Sequence, residues 1–168
     1  MGRESRKVLA DKAHSWGTDG LGSLIPNGLA QGLMGYAFTC PDMIGGGEYQ
    51  NFTAHSKNLD QELIVRYAQC SALFPMMQFS AAPWRVLDEK HFSYCLNAAR
   101  LHYKLGQKIF ELAQHSALTG EPVIRHMAYV FPQQGFEDIN DQFMLGNDLL
   151  VAPVVKQGVT TKNIRFPE

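Results

Sequence analysis

The stretch that decides the fold class is GYAFTCPD at residues 35–42. It is a short, nearly continuous apolar run, and the loop after it contains three successive glycines, Gly45 to Gly47. A strand that is apolar on both faces belongs in the middle of a layered or barrel structure, because each face needs a covering layer. The run therefore predicts a buried strand ending at Asp42, followed by a loop with unusual backbone freedom.

Helical periodicity lies on both sides of this predicted strand. Before it, apolar residues recur at three- and four-residue steps and predict a helix over residues 21–35. Gly28 and Gly32 each lower the propensity of that helix by about 1 kcal/mol, so we expect them to allow tight packing on neighbouring elements. After the strand, residues 59–74 predict a second helix, which Pro75 stops.

The rest of the chain changes from strand–helix alternation to strands alone. The patterns predict a short strand at 76–80, a turn at Pro83-Trp84, a long amphipathic helix at 88–118, and then strands at 122–131, 143–145 and 149–155. Alternation of strands and helices favours an α/β unit with parallel strands. The all-β tail favours a second domain, so we predict a division into residues 1–120 and 121–168.

The composition excludes several classes of function. The chain has 168 residues, 45% of them hydrophobic and 18% charged, with a formal net charge of -1. A nucleic acid or an anionic membrane requires a basic surface, so neither is expected as a partner. The sequence contains no apolar run of about 18 residues, so no membrane segment is expected in this chain.

Cysteine and histidine spacing gives no sign of a metal site or a cofactor. The three cysteines, Cys40, Cys70 and Cys95, form no CxxC pair and stand among apolar neighbours. We expect buried free thiols rather than a zinc or redox site. The six histidines show no ligand spacing either.

Two carboxylates stand out by their context. Asp42 follows the predicted strand, and the carboxyl ends of strands carry the site residues in α/β barrels. The alternative is a turn residue that stabilises its own backbone. Asp19 lies in a polar loop three residues after Trp16. On pattern alone, both functional assignments are weaker than the structural ones.

Four sequence blocks then point to a family. They are WGTD at 16–19, PDMIGG at 41–46, ELIVRYAQ at 62–69 and QFMLGNDLLVAPV at 142–154. In this order they resemble the W-x-G-D, S-D-I-G-G-F, E-L-x-x-R-W-x-Q and Q-F-M-L-G-D-D-L-L-V-A-P-V blocks of glycoside hydrolase family 31, the family of α-glucosidase-like enzymes. The resemblance runs from about Ala10 to the end of the chain, and Thr18 departs from the usual glycine.

The resemblance implies a fold and a set of roles. Residues 1–120 would form the C-terminal part of a (β/α)8 barrel, and residues 121–168 the start of a β-sandwich. A retaining glycosidase needs one carboxylic acid to protonate the leaving oxygen and one carboxylate to attack the sugar carbon. Asp19 would be the general acid/base, which has to hold its proton near neutral pH. Asp42 would bind sugar hydroxyls, and Trp16 would supply an apolar wall for the carbohydrate or simply pack in the core.

Two departures limit the expected activity. The family's nucleophilic Asp lies on an earlier strand, and nothing before Asp19 resembles it, so we expect the N-terminal half of the barrel to be missing from this chain. The family's M-R-x-H block is Met-Gln-Phe-Ser at residues 77–80. Gln78 can still bind a hydroxyl as a neutral group, which implies altered sugar preference.

Two hypotheses follow from these departures. The first is a fragment of a retaining α-glycosidase, acting on α-glucosides or α-galactosides, that carries the acid/base and lacks the nucleophile. The second is a non-catalytic, truncated or degenerate family member that binds carbohydrate weakly at most. Both imply open strand edges, for which we expect poor solubility or a molten state.

Overall fold

The computed structural model describes residues 7–8, 12–47 and 59–168 of the chain. In chain order its elements are β1 (Lys7–Val8), a 3₁₀ turn (Leu21–Ser23), α1 (Leu24–Leu33), β2 (Thr39–Cys40), α2 (Gln61–Ser71), α3 (Pro83–Val86), α4 (Glu89–Thr119), β3 (Ile124–Arg125), α5 (Met127–Val130), β4 (Phe143–Leu145) and β5 (Leu149–Val151).

The first part of the chain pairs its extended segments in parallel. β1 lies beside β2 in parallel, with α1 between them in the chain. A parallel bridge then joins Ile44 to Phe79, with α2 between them. Helices therefore connect parallel segments, as the alternation predicts. The last strands are arranged differently, because β3, β4 and β5 form an antiparallel sheet in that order.

The strand predicted at 35–42 is wrong over its first half. The described strand is Thr39–Cys40 alone. Gly35 takes a φ of +88°, its N–H bonds to Gly32 O, and Tyr36 N–H bonds to Gln31 O. These two bonds are the Schellman ending of a helix, so the residues after α1 close the helix instead of extending a strand.

The three main helices begin and end close to their predicted limits. Asp60 caps α2 by accepting a hydrogen bond from Leu63 N, and Asp88 caps α4 in the same way from His91 N. Gly120 ends α4 with a φ of +81°. These are local signals, in which a side chain satisfies helix-end N–H groups that have no partner within the helix.

Several shorter predictions require correction. The strand predicted at 76–80 is reduced to the bridge at Phe79, and the strand predicted at 149–155 ends at Val151. Pro83 begins the one-turn helix α3 rather than a turn, consistent with proline's preference for the first helical position. The strand predicted at 122–131 is wrong beyond Arg125, because the His126 side chain accepts a hydrogen bond from Ala128 N and caps the one-turn helix α5.

One hydrophobic core joins the helices to the antiparallel sheet. The buried Phe74 ring meets the Phe143 ring edge-on at 5.5 Å. A Cβ built on Gly28 would lie 2.4 Å from Phe74 Cε1, and one on Gly32 would lie 3.1 Å from Pro122 Cβ. These distances confirm that the two glycines permit close packing of α1. The core thus continues across residue 121, and the proposed division there stays a prediction.

The cysteines agree with the sequence, and α2 carries an ion pair between successive turns. The three cysteines are buried and free. Arg66 pairs with Glu62, one helical turn earlier, at 3.8 Å. Among the described residues, no helix is both long and apolar enough to cross a membrane.

Candidate functional site

The candidate site is built where the loop at residues 12–20 lies against the loop at residues 42–47. Gly47 N–H donates to Lys12 O at 3.0 Å, and the His14 ring bonds Gly45 O at 2.8 Å. The approach is close, since a Cβ built on Gly46 would lie 2.8 Å from Lys12 O. Gly46 also has a φ of +96°, which only glycine adopts without strain. The glycine-rich loop therefore serves to bring the two segments together.

The buried side chain of Asp42 stabilises the contact between the two loops. Its side chain is fully buried, and its Oδ2 accepts hydrogen bonds from Lys12 N at 2.6 Å and Gly47 N at 3.2 Å. Its φ of 107° is unusual for a non-glycine residue, and such backbones cost about 1–3 kcal/mol unless their surroundings impose them. This geometry is that of a carboxylate stabilising backbone, the alternative considered for Asp42. Its contact with sugar hydroxyls stays a prediction.

Asp19 lies on the outer side of the same loop. Its side chain is exposed, and its Oδ1 accepts a hydrogen bond from Ser15 Oγ at 2.7 Å. Ser15 Oγ itself accepts from Gly17 N, and Asp19 O accepts from Ala13 N. The loop thus closes on itself and holds the carboxyl group at the surface, where a second molecule can reach it.

The Trp16 side chain reaches the start of α2. Its Nε1 donates to Asp60 Oδ2 at 2.8 Å, and the half-buried ring packs against the hydrophobic core. Core packing is therefore part of its role. Whether one face of the ring also contacts a sugar stays a prediction.

Asp60 and His14 are the residues that sequence reasoning missed. Asp60 caps α2, receives the Trp16 indole, and donates its own N–H to His14 Nε2 at 3.2 Å. Because Nε2 accepts, the ring proton lies on Nδ1 and is donated to Gly45 O, which assigns the neutral tautomer. The available signal was the N-cap position of Asp60. Nothing local indicated a partner 44 residues earlier in the chain.

Gln78 lies beside the glycine-rich loop. Its backbone O accepts from Ile44 N at 2.7 Å, and Ser80 Oγ donates to Ile44 O at 2.6 Å. The Gln78 residue is exposed. Hydrogen bonds therefore connect the segments that carry Asp19, Asp42 and Gln78, while Trp16 joins them to α2.

Tyr67 and the Cys40 thiol are buried near Asp42. Burial, with a smaller contribution from the negative charge of Asp42, raises the pKa of Tyr67 well above its usual range. Burial likewise raises the pKa of the Cys40 thiol. No cluster of three or more His, Cys, Asp or Glu side chains suited to a metal ion occurs in the part of the chain that the structure describes.

Comparison with known proteins identifies the family. Residues 120–168 match the glycosyl hydrolase family 31 C-terminal domain. Over 165 residues the chain is 36% identical to the myogenesis-regulating glycosidase of Mus musculus. The chain belongs to glycoside hydrolase family 31. This family 31 chain is also 33% identical over 165 residues to the SITS-binding protein of Tetronarce californica. Each alignment covers 95% of the chain, but only 23% and 22% of those proteins.

Solved structures of similar proteins agree with this assignment. An uncharacterized protein of Listeria monocytogenes superposes with a TM-score of 0.83 at 25% identity, over 98% of this chain and 16% of that one. The glucosidase II alpha subunit gives 0.80 at 29% identity, over 96% and 17%. The 168 residues thus correspond to one part of much larger proteins.

Proposed function

We propose that these residues are the C-terminal part of the catalytic barrel of a retaining α-glycosidase, with Asp19 as its general acid/base. One observation carries the proposal. The loop that presents Asp19 to solvent is hydrogen-bonded to the loop that follows β2, at the end of a parallel pair. In α/β barrels this end of the strands is where the reacting groups are placed.

Two parallel contacts support the barrel part of the proposal. In the chain, α1 lies between the paired strands β1 and β2, and α2 lies between the bridged residues Ile44 and Phe79. Two strand–helix units therefore follow one another. The long helix α4 completes the series before the antiparallel strands begin. In this proposal residues 1–120 are barrel and residues 121–168 begin the β-sandwich.

The proposed chemistry assigns one proton transfer to Asp19 in each step. Asp19 protonates the leaving glycosidic oxygen while a carboxylate attacks the sugar carbon. It then takes a proton from the water that releases the sugar. The attacking carboxylate comes from the earlier part of the barrel. The Ser15 hydroxyl, already bonded to Oδ1 at 2.7 Å, orients the carboxyl group between these steps.

The other predicted residues take supporting roles. Asp42 fixes the loop through its buried carboxylate and binds sugar hydroxyls when the barrel is complete. Gln78 offers an amide, which both donates and accepts hydrogen bonds to hydroxyls without adding charge. The proposed substrate class is an α-glucoside or an α-galactoside, and the name of glucosidase II favours a glucoside.

A chimera tests this assignment. The N-terminal part of a family 31 α-glucosidase is joined to residues 10–168 and assayed on nitrophenyl α-glucoside and α-galactoside. We expect turnover by the chimera and none by the 168 residues alone. Loss of a general acid typically costs a factor of about 10²–10⁴, and we expect that loss from Asp19→Asn. Asp138→Asn, an exposed carboxylate in the tail, is the matched control.

The result separates the proposal from its alternative, a non-catalytic family member that binds carbohydrate weakly. The buried, backbone-bonded carboxylate of Asp42 is the feature that favours the alternative. A folded chimera without turnover would support it. Robust hydrolysis by the 168 residues alone, or full activity of the Asp19→Asn chimera, would refute the proposed role of Asp19.

A further inference from the structure

A pocket lies between the Trp16 loop and the C-terminal segment, and its lining includes Trp16 but neither Asp19 nor Asp42. Its volume is about 270 Å³, near the lower end of the roughly 300–1,000 Å³ usual for ligand sites. Its apolar walls are formed by Trp16, Leu21 and Ile25. Its polar groups belong to Asn140, Asp141 and Lys156. We call it the Trp16 pocket.

The aromatic wall of the pocket is held in a fixed orientation. The Trp16 Nε1–H bond to Asp60 Oδ2 orients the indole, and Asp60 is itself tied to the start of α2 through Leu63 N. A ring whose N–H is already bonded offers its faces to a ligand instead of its polar edge. The platform therefore exists before any ligand arrives.

The pocket wall formed by the C-terminal segment is also held in place by hydrogen bonds. Gln157 Nε2 donates to Asp60 Oδ2 at 3.3 Å, and Gly158 N donates to Glu62 Oε1 at 3.1 Å. Arg66 Nη2 then donates to Val159 O at 2.9 Å. Three successive residues are thus bonded to α2, directly after Lys156. This arrangement fixes the segment that carries Lys156.

The third side of the pocket is braced by an ion pair. Lys162 Nζ lies 3.0 Å from Asp141 Oδ2 and donates to Pro153 O at 2.9 Å. Around the pocket, Lys156 and Lys162 balance Asp141 and Asp60 in formal charge. A site without net charge favours a neutral ligand, because an ion would lose its hydration without gaining an opposite charge.

From this geometry we propose that the Trp16 pocket is a second carbohydrate site, which binds a neutral pyranose. The apolar C–H face of the sugar stacks on the Trp16 ring, and its hydroxyls bond Asn140, Asp141 and Lys156. Binding requires little loss of conformational entropy, because hydrogen bonds already fix all three walls of the pocket. The choice of a sugar among small neutral ligands rests on the proposed function, while the site itself rests on the pocket.

The chain contains two tryptophans, which makes the test direct. Trp84 is 69% exposed, so Trp84→Phe leaves Trp16 as the single reporter of the pocket. This variant is titrated with methyl α-glucoside and methyl α-galactoside while its fluorescence is followed. We expect a saturable change for at least one sugar and none for glucuronate, which carries a charge.

Variants of the pocket then locate the site. Loss of one hydrogen bond corresponds to about 2- to 10-fold weaker binding, which we expect from Asn140→Ala and from Lys156→Met. The matched controls are Asn97→Ala and Lys104→Met on the exposed surface of α4, which should leave the dissociation constant unchanged. Far-UV circular dichroism checks that each variant is folded.

Three outcomes would overturn the proposal. The first is a folded protein with no saturable response to either sugar. The second is equal weakening by the pocket variants and the control variants. The third is binding that Asp19→Asn abolishes and Asn140→Ala leaves intact, which would place the sugar at the Asp19 loop and keep the proposed function. Conversely, binding in the Trp16 pocket together with an inactive chimera would retain the pocket and reject the glycosidase assignment.

Discussion

The contact between α1 and Phe74 allows a matched test of packing with one methyl group. In Gly28→Ala the new Cβ would lie 2.4 Å from Phe74 Cε1 and 3.1 Å from Ile124 Cδ1. Phe74 cannot easily move, because it is fully buried and its ring meets Phe143 edge-on at 5.5 Å. Gly106 is the control, since a Cβ there meets nothing within 4 Å although it also lies in a helix.

The two substitutions should change stability in opposite directions. Overpacking costs about 1–3 kcal/mol, and the shortest contact at Gly28 places that variant near the upper end. Alanine recovers about 1 kcal/mol of helix propensity, so the net loss for Gly28→Ala is about 1–2 kcal/mol. Gly106→Ala receives the propensity gain alone, about 0.5–1 kcal/mol. For a chain of this length 1 kcal/mol shifts Tm by about 2–4 °C.

Urea and thermal unfolding, followed by far-UV circular dichroism, measure both changes. The midpoints should fall for Gly28→Ala and rise for Gly106→Ala relative to the parent chain. If Gly28→Ala were as stable as Gly106→Ala, the close packing of α1 on Phe74 would be disproved. A chain left molten by open strand edges would show no cooperative transition, and the two variants would then not differ.

Three further perturbations have defined outcomes. The hydrogen bonds from Lys108 hold the pKa of Asp148 below its usual value, so Asp148→Asn should cost about 0.2–1 kcal/mol at pH 7 for so exposed a pair. This loss should vanish as the pH falls through the lowered pKa, because the carboxylate is then protonated in the parent too. Burial raises the pKa of the Cys70 thiol to about 12, so iodoacetamide at pH 8 should modify it far more slowly in the native protein than in guanidinium. Asp60→Ala should cost about 2 kcal/mol, since it removes a helix cap and the acceptor of a half-buried indole, and it should shift Trp16 emission to longer wavelength.

Each of these perturbations has its own control. The effect of Asp148→Asn should shrink in 1 M salt, and a loss that persisted there would rule out a screened ion pair. Equal alkylation rates in the native and denatured states would contradict the burial of the thiol. Asp88→Ala removes the cap of α4 together with the exposed contact between Asp88 and the His91 ring, but no acceptor of an indole. A loss as large as that of Asp60→Ala would therefore contradict a contribution from the indole bond.

The sequence by itself determined the main helices and indicated the family. The limits of α1, α2 and α4 follow from apolar periodicity and from caps such as Asp60, Asp88 and Gly120. These signals act within about one helical turn, so they are complete in a short window of sequence. The four motif blocks likewise indicate family 31 from the sequence alone.

Only the tertiary structure decided how the loops meet. The backbone donor that reaches Asp42 from Lys12 is 30 residues away in the chain, and the Trp16 pocket joins residues from both ends of the sequence. Such contacts depend on which distant segments pack together, and no local pattern records that choice.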